Sequence, residues 1–188
     1  MKMSVLRTSL ALVLMAIGAG CGGSDDNMDG ALSNPMDGED ADTSCPADTP
    51  PFDFGPMGLS ATNEAAGVKV YLETASDKPP FYGPNDWTIA FTDLEGKPAS
   101  NALLTWACAF MPKHGHGSSP KSVNNLGSGR YELLRQNMAM QGGWEIRLWV
   151  DMTGAGKPFE GGGVGINRAA CAEPRTEPTL KLLACVPR

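Results

Sequence analysis

The stretch GWEIRLWVD, residues 143–151, decides the fold class. Trp144, Ile146, Leu148 and Val150 alternate with Glu145, Arg147 and Asp151. A period of two belongs to a half-buried strand, whereas a helix repeats its apolar positions every three to four residues. Trp149 is out of phase with this set, so its indole points away from the core. Two readings are open for it: cover by a long neighbouring loop, or an exposed anchor for a partner protein, a common role of tryptophan at interfaces.

The same period runs outward in both directions. In DWTIAFTD (86–93), Trp87, Ile89 and Phe91 share a face, and in NALLTWACAF (101–110) Leu104, Trp106, Cys108 and Phe110 do so. VKVYLET (68–74), GRYELLRQ (129–136) and TLKLLACV (179–186) read as further strands, the first and third as the opening and closing ones. Gly, Pro and Asn separate these runs, and no helical period is sustained. The expectation is an all-β fold, an Ig-like or cupredoxin-like antiparallel β-sandwich of about seven strands over residues 67–188. Residues 152–178 are glycine-rich and unpatterned, a long excursion before the final strand. The GGGVG within it (161–165) lacks the Gly-Lys-Ser/Thr ending and the strand-then-helix setting of a phosphate loop.

The N-terminal third reads as an address and a spacer. Lys2 and Arg7 precede an apolar run at residues 10–17, and small residues lead to Cys21, the layout of a secretory signal over residues 1–20. The apolar run falls short of the ~20 residues a bilayer span needs. Gly18-Ala19-Gly20-Cys21 resembles a bacterial lipobox, which implies lipidation of Cys21 and a membrane anchor. Gly22 in place of an acidic retention residue favours the outer over the inner membrane, with the domain facing periplasm or cell exterior. Residues 22–66 carry ten acidic side chains and neither Lys nor Arg. Such a stretch buries too little apolar surface to order itself, so residues 21–66 are expected to form a disordered acidic linker. The net charge of −6 therefore belongs to the linker. Setting aside Lys2 and Arg7 from 15 basic residues and those ten from 21 acidic ones leaves 13 against 11 in residues 67–188. Neither part has the basic concentration of a nucleic-acid binder.

Cys45, Cys108, Cys171 and Cys185 form an even set suited to two disulfides in an oxidising compartment. Of the three connectivities, Cys171–Cys185 as a local clamp with Cys45–Cys108 is the favoured one, and the other two stay open. A cysteine-ligated zinc would call for a CxxC pair, which the chain lacks.

Both histidines of the chain fall within FMPKHGHGSSP (110–120), as His114 and His116, each followed by glycine. An extended backbone would point both imidazoles to one side, and the glycines allow the loop to curl them onto a single ion. Met111 precedes them, and Met138 and Met140 stand two apart ahead of the next strand. Imidazole suits copper or zinc and thioether favours Cu(I), so His114, His116 and one or more of Met111, Met138 and Met140 point to copper. The competing reading makes the methionines core fillers. Ser118 and Ser119 lie close to the histidines, but nothing marks either as a nucleophile, and an enzyme is not expected.

Over residues 67–151 the chain resembles the YtkA-like domain, a small exported β-sandwich module related to FixH-type proteins. The resemblance rests on the Asp93-x-x-Gly96-Lys97-Pro98 turn and on Met111-Pro112 followed by His114 and His116. It continues in the Gly129-x-Tyr131 strand and the Met140-x-Gly142-Gly143-Trp144 element. It implies an accessory role in the cell envelope, in copper handling or oxidase assembly. Cys108 and the cysteine-bearing C-terminal extension depart from that pattern. The alternative function is a disulfide-stapled interaction module that contacts another envelope protein without metal.

Overall fold

A computed structural model describes residues 45–49, 52–162, 171 and 176–187. The signal segment, Cys21 and residues 22–44 of the acidic linker lie outside the described residues. Nine strands occur in chain order: β1 (Ser60–Asn63), β2 (Val68–Ala75), β3 (Gly83–Thr92), β4 (Leu103–Met111), β5 (His116–Ser118), β6 (Ser122–Gly127), β7 (Arg130–Met138), β8 (Gly142–Asp151) and β9 (Leu180–Val186). They build a five-stranded sheet in the order β1-β2-β3-β7-β6 and a four-stranded sheet in the order β5-β4-β8-β9. All pairings are antiparallel. None of the described residues is helical. The alternation thus leads to the right class, a β-sandwich, with short β1 and β5 and the edge strand β6 raising the strand count.

Inward residues of the two sheets meet in one core. Val68, Val70 and Leu72 of β2, Trp87, Ile89 and Phe91 of β3, and Trp144, Ile146 and Leu148 of β8 are all at most 1% exposed. The core starts earlier in the chain than residue 67. Leu59 is fully buried, and Phe52 packs its ring 5.4 Å from that of Trp87. Residues 52–66, expected as spacer, therefore carry β1 and part of the core, because their few apolar side chains complete a face that β2 and β3 leave open. The compact unit 39–188 holds every described strand and the whole core cluster.

β4 departs from simple alternation. Its register against β8 shifts between Leu104 and Trp106. A bulge of this kind reverses the facing of the residues beyond it. Leu104 and then Ala107, Ala109 and Met111 face the core, while Trp106, Cys108 and Phe110 face outward, against the expectation that Leu104 shares their side. The outer face they create is covered by the excursion between β8 and β9. Phe159 stacks on Trp106 with centroids 4.5 Å apart, and its amide donates to the Leu104 carbonyl. Trp149 is covered in the same way: it is 5% exposed and its indole donates to the Thr176 carbonyl at 2.9 Å. The reading of Trp149 as an exposed partner anchor is thereby overturned.

The disulfides also differ from the favoured arrangement. Cys45 pairs with Cys185 and Cys108 with Cys171, at Cα separations of 5.6 and 5.8 Å. The reason lies in the sheet. β8 stands between β4 and β9, and Cys108 aligns through Arg147 with Lys181, four residues short of Cys185. Two strand spacings and four residues of rise put Cys108 and Cys185 roughly 16 Å apart. A disulfide requires less than about 7 Å. Cys171, seated against β4 with its sulfur 3.5 Å from the Ala109 carbonyl, cannot serve Cys185, and Cys45 beside Cys185 cannot serve Cys108.

Candidate metal site at one end of the sandwich

The hairpin of β4 and β5 carries both histidines. Residues 112–115 form its turn, closed by the amides of His114 and Gly115 donating to the Met111 carbonyl at 3.1 and 3.0 Å. Gly115 has φ +62°, a left-handed conformation that a side chain disfavours. The backbone is therefore curled, not extended, between the histidines. His116 then opens β5 directly opposite Met111. Residues facing each other across an antiparallel pair project to the same side of the sheet. Met111 belongs to the core, so His116 is directed to the inner side of the sandwich end.

The imidazole rings lie with centroids 5.6 Å apart, and His116 is 6.3 Å from the Trp144 ring. Two imidazoles that share one ion at metal–nitrogen distances of ~2.0–2.1 Å have centroids roughly 5–6.5 Å apart, so the observed spacing fits a shared ion. His114 Nε2 is buried without a hydrogen-bond partner, a state that costs about 1–3 kcal/mol unless a ligand engages the nitrogen. Both observations are compatible with the imidazole pair that the sequence singled out.

The methionines divide. Met111 is 1% exposed and shares the face of His116. Met138, fully buried, ends β7 opposite Gly83 in the five-stranded sheet, and fills core space there. Met140 lies in the β7–β8 turn at the margin of the core, where its carbonyl accepts the Trp144 indole N–H at 3.0 Å. All three gather at the histidine end, but Met111 is the one that the register aligns with an imidazole. Among the described residues no group of three or more His, Cys, Asp or Glu side chains is placed to hold an ion.

Support for the hairpin comes from residues that sequence reasoning passed over. Ser118, expected as a loop serine, is a fully buried residue of β5 whose hydroxyl donates to the Asn137 carbonyl. Gln136, also fully buried, donates its amide to the Ser118 carbonyl at 3.0 Å and hydroxyl at 2.8 Å, tying β5 to β7 in the other sheet. On the outer side Gly117 meets the Cys108–Cys171 bridge so closely that an added Cβ would lie 2.6 Å from the Cys171 sulfur. Gln136 sits in an ordinary strand pattern and gives no signal. Gly117 is visible in the sequence only as one glycine among many.

A cleft of about 390 Å³ opens at the same end. Pro46, Asp48 and Thr49 form one wall, Met111, Pro112 and Lys113 a second, and Trp144, Leu183 and Ala184 the floor. The Cys45–Cys185 bridge fixes the first wall to β9.

No family model matches the chain, and no curated protein or solved structure is similar enough to match it.

Proposed function

We propose that this chain is a non-catalytic, exported and lipid-anchored β-sandwich module that holds a copper ion through His114 and His116, with Met111 as the adjacent thioether. The observation that carries the reading is the imidazole pair, 5.6 Å between centroids on a glycine-curled turn. The buried, unbonded Nε2 of His114 supports it. Imidazole with thioether favours copper, and Cu(I) above other ions. The resemblance to YtkA-like domains supports the same reading and adds the setting, an accessory of copper handling or oxidase assembly in the cell envelope. The lipobox-like Cys21 supports an anchor, in the outer membrane by the residue after it.

The test is a competitive Cu(I) and Cu(II) titration of residues 39–188 against a chromogenic chelator. Wild type is expected to take one ion, and His114→Ala/His116→Ala to lose it. Equal affinity in the double variant would falsify the assignment.

The cleft favours a second reading, a metal-independent contact with another envelope protein. Cross-linking in the envelope from a photoreactive residue at Leu183, retained in the histidine double variant, would select it over copper binding.

A further inference from the structure

Among the described residues, large apolar side chains are exposed at Phe54, Met57, Phe81, Tyr82, Leu126 and Leu183. Three of the six, Phe54, Phe81 and Tyr82, sit on two neighbouring loops, the one before β1 and the turn between β2 and β3, whereas Met57 lines a separate cleft with Thr92, Leu94 and Gly96 towards the far end of β3. Lys78 joins the loops: its ammonium pairs with the Asp53 carboxylate and lies 5.1 Å from the centroid of the Phe54 ring. Exposure is 40% at Phe54, 42% at Phe81 and 64% at Tyr82. Single exposed apolar residues are ordinary on a soluble surface, whereas a cluster marks a contact.

The course of the chain indicates what makes that contact. Residues 1–44 join the described domain at Cys45, nine positions before Phe54. Cys21 stands 24 positions before Cys45. The span expected from composition for a chain of that length is roughly 27 Å in root mean square. A domain held so close to a bilayer meets it at an effective concentration near the millimolar range, where even a weak adhesive patch is occupied.

We propose that Phe54, Phe81 and Tyr82 dock this domain on the lipid surface, with the aromatic rings at the level of the headgroups. The inference rests on the lipid-anchor part of the proposed function and is independent of copper. Phenylalanine and tyrosine supply apolar bodies, and the tyrosine hydroxyl stays with the polar headgroups. Asp53, Asp77 and Asp86 stand in or beside these loops, so the patch has no net attraction for anionic lipid. Docking is therefore driven by apolar insertion.

The experiment is co-sedimentation of residues 39–188, which carry no lipid, with vesicles of phosphatidylcholine and phosphatidylethanolamine. Wild type is expected to partition at millimolar lipid, with little change on adding salt or phosphatidylglycerol. Phe81→Ser/Tyr82→Ser is expected to reduce partitioning at least tenfold with an unchanged circular dichroism spectrum. Phe54→Ser, on the neighbouring loop, provides a second variant should the first disturb folding, with a several-fold loss expected. Absence of wild-type partitioning overturns the proposal, as does equal partitioning by the variants. A dimer that the double variant disperses, without vesicle binding, assigns the patch to a second copy and overturns it too. The anchor is tested apart, by palmitate labelling of the full chain and its loss in Cys21→Ala. An unlabelled chain whose residues 39–188 still partition removes the anchor and leaves the patch standing.

Discussion

Replacing Tyr131 by Phe deletes one oxygen and keeps the ring, including its edge-on contact with Phe91 at 5.8 Å. That oxygen is a tie between the two sheets. Tyr131 belongs to β7 of the five-stranded sheet, and its hydroxyl donates to the Ala102 carbonyl at 2.9 Å while accepting the Leu104 amide at 3.3 Å, at the start of β4 in the four-stranded sheet. Asn125 adds a donor at 3.3 Å from a more exposed position. Ala102 is 2% exposed and Leu104 fully buried, so water does not replace what the hydroxyl supplied. A buried bond contributes about 1 kcal/mol net, and an orphaned partner costs about 1–3 kcal/mol. Tyr131→Phe is therefore expected to destabilise residues 39–188 by about 2 kcal/mol. For a domain of this size that lowers Tm by roughly 4–8 °C. Urea unfolding under non-reducing conditions, followed by tryptophan fluorescence, reads the change as a shift in midpoint at constant slope. A loss below ~0.5 kcal/mol would show that the hydroxyl is solvated in the native state and that the cross-sheet tie is not a stabilising contact.

The same geometry fixes other outcomes. Peptide mapping without reduction should recover Cys45 joined to Cys185 and Cys108 joined to Cys171, and a Cys45–Cys108 peptide would refute this sheet order. Removing the second bridge with Cys108→Ala/Cys171→Ala opens a loop with a sequence separation of 63, worth up to about 4 kcal/mol of stability by loop-closure entropy. Gly117→Ala should destabilise the domain and weaken any copper binding together, because the new methyl would run into the Ala109 carbonyl oxygen and lie 2.6 Å from the Cys171 sulfur and so displaces the hairpin that carries His116; unaltered stability would mean that both the β4 backbone and the bridge yield. The Thr153 hydroxyl and amide and the Gly156 amide donate to Asp151 and hold its carboxyl below the usual carboxylate range. A depressed folded-state pKa stabilises the fold above the unfolded value, and the contribution is lost as pH falls through the folded one. Stability profiles of wild type and Asp151→Asn should therefore differ at neutral pH and converge in acid.

What the sequence discloses and what it hides have physical causes. The alternation in β2, β8 and β9 is legible because each strand has one face in the core and one outside it, so burial writes itself into residue type. β4 defeats the same reading, since a bulge is a backbone event and leaves no mark in the order of apolar residues. β6 is invisible for the opposite reason: as an edge strand it buries only Val123, and most of its remaining residues are exposed. The histidine window is recognisable as a glycine-bearing loop. Its geometry is not, because the alignment of His116 with Met111 depends on β5, three residues whose sequence is His-Gly-Ser. Disulfide pairing is beyond reach without the order of strands across the sheet.

The Cys45–Cys185 bridge has a mechanical consequence. It joins the first described residue to the last strand, 140 positions away in sequence. Tension applied through the residues that precede Cys45 passes across the two sulfurs into β9, along the four-stranded sheet. Residues 46–59 and the short β1 are shunted out of the load path. A pull on Cys45 is thus carried by a seven-residue strand paired along its length with β8, instead of reaching a four-residue edge strand paired only with β2. Reduction of this one bridge would convert the first geometry into the second and make the domain markedly weaker under load.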